Sequence, residues 1–309
     1  ISYNLTDIKI STLHEVFDKT CERASVRGLR VTGSELIGLV PKKVLIDAGK
    51  YFLHKQQRSL GVSDSEIIKI AIKSLGLDEL APFNPKERVI EYMLEDSKQL
   101  LLTNMSLTEF ANETASESPA PGGGSISAYC GAMGVALGTM VANLSANKRG
   151  WEKDWEKFSK WAEKGLAYQN KLLSLVDEDT NAFNKIMEAF RMINDSKEDK
   201  LKRNQAIQEA TKYAINTPFK VMDISLKSME VMKEMARSGN PNSITDSAVG
   251  ALCARTAIRG AYLNVQINCK DCEDQNFIKE MLKDCEIILE KAIKEENTIL
   301  EIAQKKINL

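Results

Sequence analysis

The segment LVDEDTNAF places three carboxylates, those of Asp177, Glu178 and Asp179, next to each other in a stretch with helical periodicity. Because successive helical residues are rotated by about 100°, Asp177 and Asp179 point to nearly opposite sides, and at most one of them can face a given pocket. A carboxylate in a pocket can accept and return a proton during catalysis. A solvated acidic patch is the alternative, and the pattern alone does not distinguish the two.

Histidine is scarce, which limits the chemistry that this chain can perform. The sequence contains His14 and His54 and no histidine after them. The C-terminal two thirds therefore cannot build a Ser-His-Asp or Cys-His centre or a histidine-ligated metal site. The lone Cys269-x-x-Cys272 lacks a second ligand pair, so no metal site is predicted. Proton transfer in this part would use carboxylates, Lys, Tyr or the substrate itself.

A glycine-rich segment, SESPAPGGGSISAYCGAMGVALGTM, occupies residues 116–140 and leads into an apolar helix. It is not a phosphate-binding P-loop, because Gly124 is followed by Ser125 and Ile126 rather than by Lys and Ser or Thr. Two interpretations remain for Gly122, Gly123 and Gly124. They form a tight turn with close helix packing, or they leave free N–H groups that meet an anionic or carbonyl group of a ligand.

Further polar residues occur where the surrounding pattern is apolar or where helices end. Asn264 and Asn268 are four residues apart on an apolar helix, which indicates a polar network or a ligand. Asp246 falls in the first turns of a helix after the SGNPNS loop, where a carboxylate suits the helix dipole. Lys148 and Arg149 end the small-residue helix, where they either cap it or capture a carboxylate-bearing substrate.

These residues must be positioned by two regions of different character. Residues 1–102 mix helical segments with two strand-like segments, ISYNLTDIKI and LRVTGSELIGLV, and predict an α/β or α+β unit. Residues 103–309 predict an all-α bundle whose boundary lies near EDSKQLLLTNMSL. We expect breaks at Gly150, at Pro218 and in the SGNPNS loop. The predicted helices are 106–116, 123–147, 151–190, 197–235, 243–268 and 274–306.

Composition excludes several classes of protein. The net charge is −1, with 28% charged and 43% hydrophobic residues, so there is no bulk attraction to nucleic acid or to a membrane surface. Residues 125–146 carry no charge, but their glycines and alanines favour a buried helix–helix interface over a membrane span. Six cysteines without a secretory leader predict free thiols and a cytoplasmic location. The start at Ile1 favours a piece of a longer polypeptide.

Four motifs, SPAPGGGSISA, DEDTNAF, SGN…SITD and GAYLNVQIN, occur in an order and spacing that resemble the cyclodeaminase domain of the formimidoyltransferase-cyclodeaminase family. That resemblance covers about residues 104–309. VTGSELIGLVPKKVLIDA and LGLDELAPFNPKERVIEYML resemble the second subdomain of the formimidoyltransferase part. The resemblance implies a ferredoxin-like α+β fragment over 1–102, followed by an all-α helical bundle cyclodeaminase domain over 103–309.

The resemblance implies folate chemistry in histidine degradation. The cyclodeaminase would convert 5-formimidoyltetrahydrofolate to 5,10-methenyltetrahydrofolate and ammonia, with the folate, possibly polyglutamated, as substrate and with no metal or other cofactor. The family's homo-oligomers also imply self-association through the small-residue helix 123–147. The first transferase subdomain, which carries the catalytic histidine, has no counterpart here. We therefore assign no catalytic role to His14 and expect transferase activity only in a longer parent chain.

For this reaction we expect Asp177 or Asp179, with Asp246 as a third candidate, to move protons or to stabilise the cationic product. The expected substrate-binding residues are Gly122, Gly123, Gly124, Ser125, Lys148, Arg149, Asn240, Asn264 and Asn268. Two alternatives stay open. One is a methenyltetrahydrofolate cyclohydrolase, and the other is a folate-binding or oligomerising scaffold without chemistry.

Overall fold

A computed structural model describes residues 1–94 and 101–307 of the chain. Within these ranges the regular structure is helical, with short 3-10 turns at Leu102–Asn104, Glu152–Asp154 and Pro241–Ser243. The α-helices are α1 (Leu13–Val26), α2 (Lys42–Lys55), α3 (Asp64–Leu75), α4 (Pro85–Arg88), α5 (Ile90–Leu94), α6 (Leu107–Thr114), α7 (Gly123–Ala146), α8 (Trp155–Phe190), α9 (Lys197–Ser238), α10 (Ile244–Cys269) and α11 (Gln275–Ile307).

Helix α7 lies at the centre of the bundle and packs against α8, α9 and α10. Its glycines make these contacts close. A Cβ at Gly134 would lie 2.7 Å from the Gly250 carbonyl oxygen, and one at Gly138 would lie 3.1 Å from the Met232 sulfur. The predicted bundle and its helix–helix packing are confirmed, and the glycines of α7 face helices of the same chain. By length and composition α7 could cross a membrane, although 61% of its most apolar window is buried inside the protein.

The predicted break at Pro218 is wrong, because α9 continues through it from Lys197 to Ser238. Proline has no N–H to donate to the carbonyl four residues earlier, which belongs to Ala214. The side-chain amide of Asn268 on α10 donates to that carbonyl instead, at 2.8 Å. A hydrogen bond from a neighbouring helix therefore compensates for the missing intrahelical one.

The ferredoxin-like α+β prediction for residues 1–102 is also wrong for the described part, 1–94 and 101–102, which contains no β-strand. An isolated parallel bridge joins Val40 to Val89, and both predicted strand segments are otherwise irregular. A strand needs a neighbouring strand for its backbone hydrogen bonds. Ile1, Ile10 and Ile37 remain 98%, 78% and 81% exposed, so their apolar side chains also lack a surface to pack against.

Two hydrophobic cores are present in the described residues. One lies among α2, α3 and Val89, and the other extends through the bundle from Leu102 to Ala303. The predicted boundary segment begins in residues 95–100, which lie outside the described residues, so the boundary stays a prediction. The two cores meet at Gly61, where a Cβ would lie 2.3 Å from the Ala162 Cβ. Asn143 Nδ2 also donates to the Gly61 carbonyl at 2.9 Å.

Candidate active site at the N-terminus of α7

The carboxylate of Asp179 on α8 lies directly against the first turn of α7. Its Oδ2 accepts the backbone N–H of Ser125 at 2.9 Å and lies 3.1 Å from the Ser125 hydroxyl. Helix α7 begins after Gly122, which has no side chain to cap the helix. Asp179 therefore caps α7 from a neighbouring helix and satisfies one of the N–H groups that a helix start leaves free.

Gly124 is required for this contact. A Cβ at Gly124 would lie 2.1 Å from Asp179 Oδ1, far inside van der Waals contact. Any side chain at this position would therefore displace the carboxylate or the helix. The glycine allows the carboxylate to approach the backbone of α7. Of the two interpretations of the glycine segment, this contact supports the one in which glycine permits close packing at the start of the helix.

Burial changes the acidity of Asp179. Removal from water disfavours its charged form and raises the pKa of the carboxyl above its ordinary value of 3.8, while the two Ser125 donors act in the opposite direction and lower it. The raised pKa brings the carboxyl closer to the pH range in which it can both take up and release a proton.

Asn264 on α10 approaches the same end of α7 from another side. Its Nδ2 would lie 3.4 Å from a Cβ placed on Gly123, and it donates to the Gly260 carbonyl at 2.9 Å. Gly123 is exposed between Asn264 and Asp179. The N–H groups of Gly123 and Gly124 belong to the first helical turn and have no partner within the helix. The structure thus brings together six predicted site residues, which are Gly122, Gly123, Gly124, Ser125, Asp179 and Asn264.

Asp177 and Asn268 have contacts that explain them without a ligand. Asp177 accepts the Leu102 N–H at 2.6 Å and the Thr103 hydroxyl at 2.8 Å, so both of its oxygens hold the short 3-10 turn. This separation from Asp179 agrees with the opposite orientations expected from helical geometry. Asn268 donates one amide hydrogen to the Ala214 carbonyl, as described above.

The remaining candidates lie at the other end of α7. Lys148 Nζ is 3.3 Å from Asn240 Oδ1 and 4.1 Å from the centroid of the Trp151 ring. Asp246 is half-buried in the first turn of α10, and Arg149 is exposed. A helix of 24 residues is about 36 Å long. Within one chain these residues therefore cannot share a site with Asp179.

A cavity of about 510 Å³ lies beside the C-terminal half of α7, between that helix, α8 and the Gly61–Glu66 segment. A second cavity, of about 780 Å³, lies between α1 and α2. Asp179 and Asn264 line neither of them. Among the described residues, no group of three or more His, Cys, Asp or Glu side chains has an arrangement that could hold a metal ion.

One polar cluster near the site was not singled out from the sequence. The Tyr213 hydroxyl on α9 donates to Glu178, and Lys185 Nζ lies 3.7 Å from the centroid of the Tyr213 ring. The spacing of Glu178 and Lys185, two helical turns apart, could have indicated a shared face. The contribution of Tyr213 from a different helix could not be read from the sequence.

Family models match both regions. The model described as Formiminotransferase-cyclodeaminase matches residues 106–287, and the Formiminotransferase domain matches residues 1–95. The chain belongs to the formiminotransferase-cyclodeaminase family. The resemblance seen in the motifs is thereby confirmed, and the chain is a member of a family of folate-processing enzymes.

Relatives in this family differ in length. Formimidoyltransferase-cyclodeaminase of Sus scrofa is 36% identical over 293 residues, which is 94% of this chain and 54% of the relative. The chain thus spans about half the length of that relative. Methenyltetrahydrofolate cyclohydrolase of Methylorubrum extorquens is 33% identical over 205 residues, 66% of this chain and 99% of the relative. The crystal structure of formiminotetrahydrofolate cyclodeaminase from Thermotoga maritima has a TM-score of 0.58 and 28% identity, covering 65% of this chain and 97% of that one.

Proposed function

We propose that the bundle is a formimidoyltetrahydrofolate cyclodeaminase of histidine degradation, converting 5-formimidoyltetrahydrofolate to 5,10-methenyltetrahydrofolate and ammonia. The observation that carries this proposal is the half-buried Asp179 carboxyl, which Ser125 holds against Gly124 at the start of α7 and whose pKa is raised. Such a group suits a reaction that moves one proton between two nitrogens and forms a cation.

The proton balance of ring closure gives Asp179 a specific task. N10 of the folate attacks the protonated formimino carbon, and the product is a tetrahedral adduct with a neutral amino group and a positively charged N10. The Asp179 carboxylate takes the N10 proton and passes it to the amino nitrogen. The C–N bond to that nitrogen then breaks, ammonia leaves, and the methenyl cation remains. The carboxylate is regenerated, and its charge stabilises the cation.

Asp179 is favoured over the two other aspartates by its surroundings. Both oxygens of Asp177 are occupied by Leu102 and Thr103, whereas Asp179 uses Oδ2 for Ser125 and holds Oδ1 against Gly124. Asp246 lies at the opposite end of α7. Asn264 and the free N–H groups of Gly123 and Gly124 are proposed to bind polar atoms of the folate near Asp179.

The reaction needs no metal or other cofactor in this proposal, and we infer a cytoplasmic enzyme with no nucleic-acid or membrane partner. Glutamate formimidoyltransferase activity is proposed only for a longer protein that supplies the first transferase subdomain. The match of residues 1–95 to the Formiminotransferase domain supports a bifunctional parent.

The direct experiment supplies purified protein with 5-formimidoyltetrahydrofolate and follows methenyl absorbance and ammonia together. We expect one ammonia for each methenyl group formed. Binding of the folate without either product would replace the proposal by the scaffold alternative.

A methenyltetrahydrofolate cyclohydrolase is the second candidate, because the Methylorubrum extorquens relative of that name is matched over 99% of its length. The two activities are separated by the choice of substrate. Loss of methenyl absorbance from added methenyltetrahydrofolate, with no turnover of the formimidoyl substrate, would establish the cyclohydrolase instead.

A further inference from the structure

An aromatic ring with a large exposed surface lies one helical turn from the candidate catalytic carboxyl. Phe183 on α8 is 44% exposed. It follows Asp179 by four residues, so the two side chains lie on the same face of the helix. The ring is therefore accessible to a ligand whose reacting atoms are placed at Asp179.

Phe183 extends past the point where α7 begins. Helices α7 and α8 are antiparallel, because a Cβ on Gly124 would meet Asp179, whereas one on Gly131 would meet Leu172. Asp179 is thus level with the first turn of α7. Four further residues of α8 advance by about 6 Å, which carries Phe183 beyond that turn. A ligand at the start of α7 has the Phe183 ring beside it, with no backbone of α7 in between.

The opposite side of α8 is attached to α9. The Tyr213 hydroxyl donates to Glu178, and Lys185 Nζ lies 3.7 Å from the centroid of the Tyr213 ring. At about 100° per residue, Lys185 is rotated by about 200° from Phe183, so these contacts leave the Phe183 face uncovered. Helix α8 therefore presents the ring from a fixed backbone, which lowers the entropy that is lost when a ligand binds.

We propose that Phe183 is a substrate-binding residue that stacks against the p-aminobenzoyl ring of the folate. The proposal rests on the proposed function for the identity of the substrate, and it adds a binding residue to those expected from the sequence. Aromatic pairs prefer offset-stacked or edge-to-face arrangements with centroids about 4.5–7 Å apart, and they stabilise a complex beyond the area that they bury.

The chemistry of the two folate rings decides which of them meets Phe183. Ring closure joins the pterin nitrogen that carries the formimino group to N10, which carries the p-aminobenzoyl group, so both rings adjoin the reacting atoms at Asp179. The pterin edge has amide and amino groups, which suit Asn264 and the free N–H of Gly123. The p-aminobenzoyl ring has an apolar face, which suits Phe183. The pterin therefore lies towards α7 and α10, and the p-aminobenzoyl ring lies along α8.

Binding of tetrahydrofolate, measured by calorimetry, tests the contact without turnover. We expect Phe183→Ala to raise the Kd about tenfold and Phe183→Tyr, which keeps a flat ring, to leave it within about threefold of wild type. Phe190→Ala is the matched control. That ring is 48% exposed on the same helix, lies about 10 Å further along it and is 5.9 Å from the Arg203 guanidinium carbon. An unchanged Kd for Phe183→Ala, or an equal loss for Phe190→Ala, would overturn the proposal.

Fragments of the folate test which ring is in contact. p-Aminobenzoylglutamate and 6-methyltetrahydropterin are used separately as competitors of tetrahydrofolate. We expect Phe183→Ala to weaken the first fragment about tenfold and to leave the second within about twofold of its wild-type affinity. Weakening of the pterin fragment alone would overturn the assignment of Phe183 to the p-aminobenzoyl ring.

Steady-state kinetics separates a binding role from a role in the chemical step. Stacking acts equally on the bound substrate and on the transition state, so Phe183→Ala should raise KM about tenfold and change kcat by less than about threefold. A fall in kcat at an unchanged KM would overturn the binding role. Tetrahydrofolate binding that depends on Phe183 in a protein without cyclodeaminase activity would refute the proposed function and leave the stacking in place.

Discussion

The two ends of α7 place their charged residues in different environments. At the N-terminal end Asp179 is half-buried, the N–H and hydroxyl of Ser125 hold its carboxylate, and Gly124 leaves room for it. At the C-terminal end Lys148 and Arg149 remain accessible, and Asn240 and Trp151 orient the lysine. Burial shifts acidity and suits proton transfer, whereas an accessible charge suits the recognition of a charged ligand. The comparison teaches that the two ends of one helix can favour different chemistry, proton transfer at one end and ligand recognition at the other.

The largest effect is expected from crowding the N-terminal end. Gly124→Ala would bring a Cβ to 2.1 Å from Asp179 Oδ1 and displace the carboxyl. Because a misplacement of about 1 Å in an active site can lower the rate about 100-fold, we expect a loss of that order in kcat.

Gly122→Ala is the matched control, because the nearest atom to its Cβ would be the Pro119 carbonyl oxygen at 4.0 Å. We expect a kcat within about twofold of wild type, and a modest loss of stability because Ala caps a helix less well than Gly does. Equal kcat values for the two alanine variants would show that the Asp179 contact is irrelevant to the rate.

The pH dependence should follow the buried carboxyl. In the proposed mechanism the free enzyme uses the Asp179 carboxylate as a base, so kcat/KM should fall about tenfold for each pH unit below the pKa of that group. Since burial raises this pKa, the fall should begin at a higher pH than for an exposed aspartate. A profile that is flat down to the ordinary range near 3.8 would remove Asp179 from this role.

A smaller effect is expected at Asn268, whose side chain replaces the hydrogen bond that Pro218 cannot make within α9. Asn268→Ala removes the donor to the Ala214 carbonyl and should lower the free energy of unfolding by about 1 kcal/mol, measured by chemical denaturation.

In a Pro218→Ala background the restored backbone N–H can reach the same carbonyl, so Asn268→Ala should then have little effect. An equal loss of stability in both backgrounds would refute the compensation.

The smallest expected effect is that of Asp179→Asn on the Tm, and its sign follows from the raised pKa of Asp179. Since the pKa of Asp179 is raised in the folded state, its charged form opposes folding above that pKa, and the penalty disappears below the ordinary value of 3.8. The Asp179→Asn variant should therefore have an equal or slightly higher Tm than wild type at pH 8, and the difference should shrink as the pH falls. A Tm that is clearly lower at pH 8 would indicate a structural role for the charge.

The bundle could be predicted from the sequence because its helices depend on local periodicity and on small residues that allow close packing. The strands of the first region could not, because a strand forms only with a neighbour that the alternating pattern does not specify. Helical geometry predicted that Asp177 and Asp179 point to nearly opposite sides, yet it could not predict their partners, because Leu102 and Ser125 come from distant segments. The hydrogen bond from Asn268 to the Ala214 carbonyl, which Pro218 leaves without its usual donor, could not be predicted because the two residues lie on different helices.

The central claim, that the buried carboxyl at the start of α7 moves the proton in ring closure, is tested most directly by single-turnover kinetics. Asp179→Asn and Asp177→Asn are compared for methenyl formation from 5-formimidoyltetrahydrofolate under saturating enzyme. We predict a rate for Asp179→Asn that is about 100- to 10,000-fold below wild type, and a rate for Asp177→Asn within a few-fold of it. A wild-type rate for Asp179→Asn would contradict the claim.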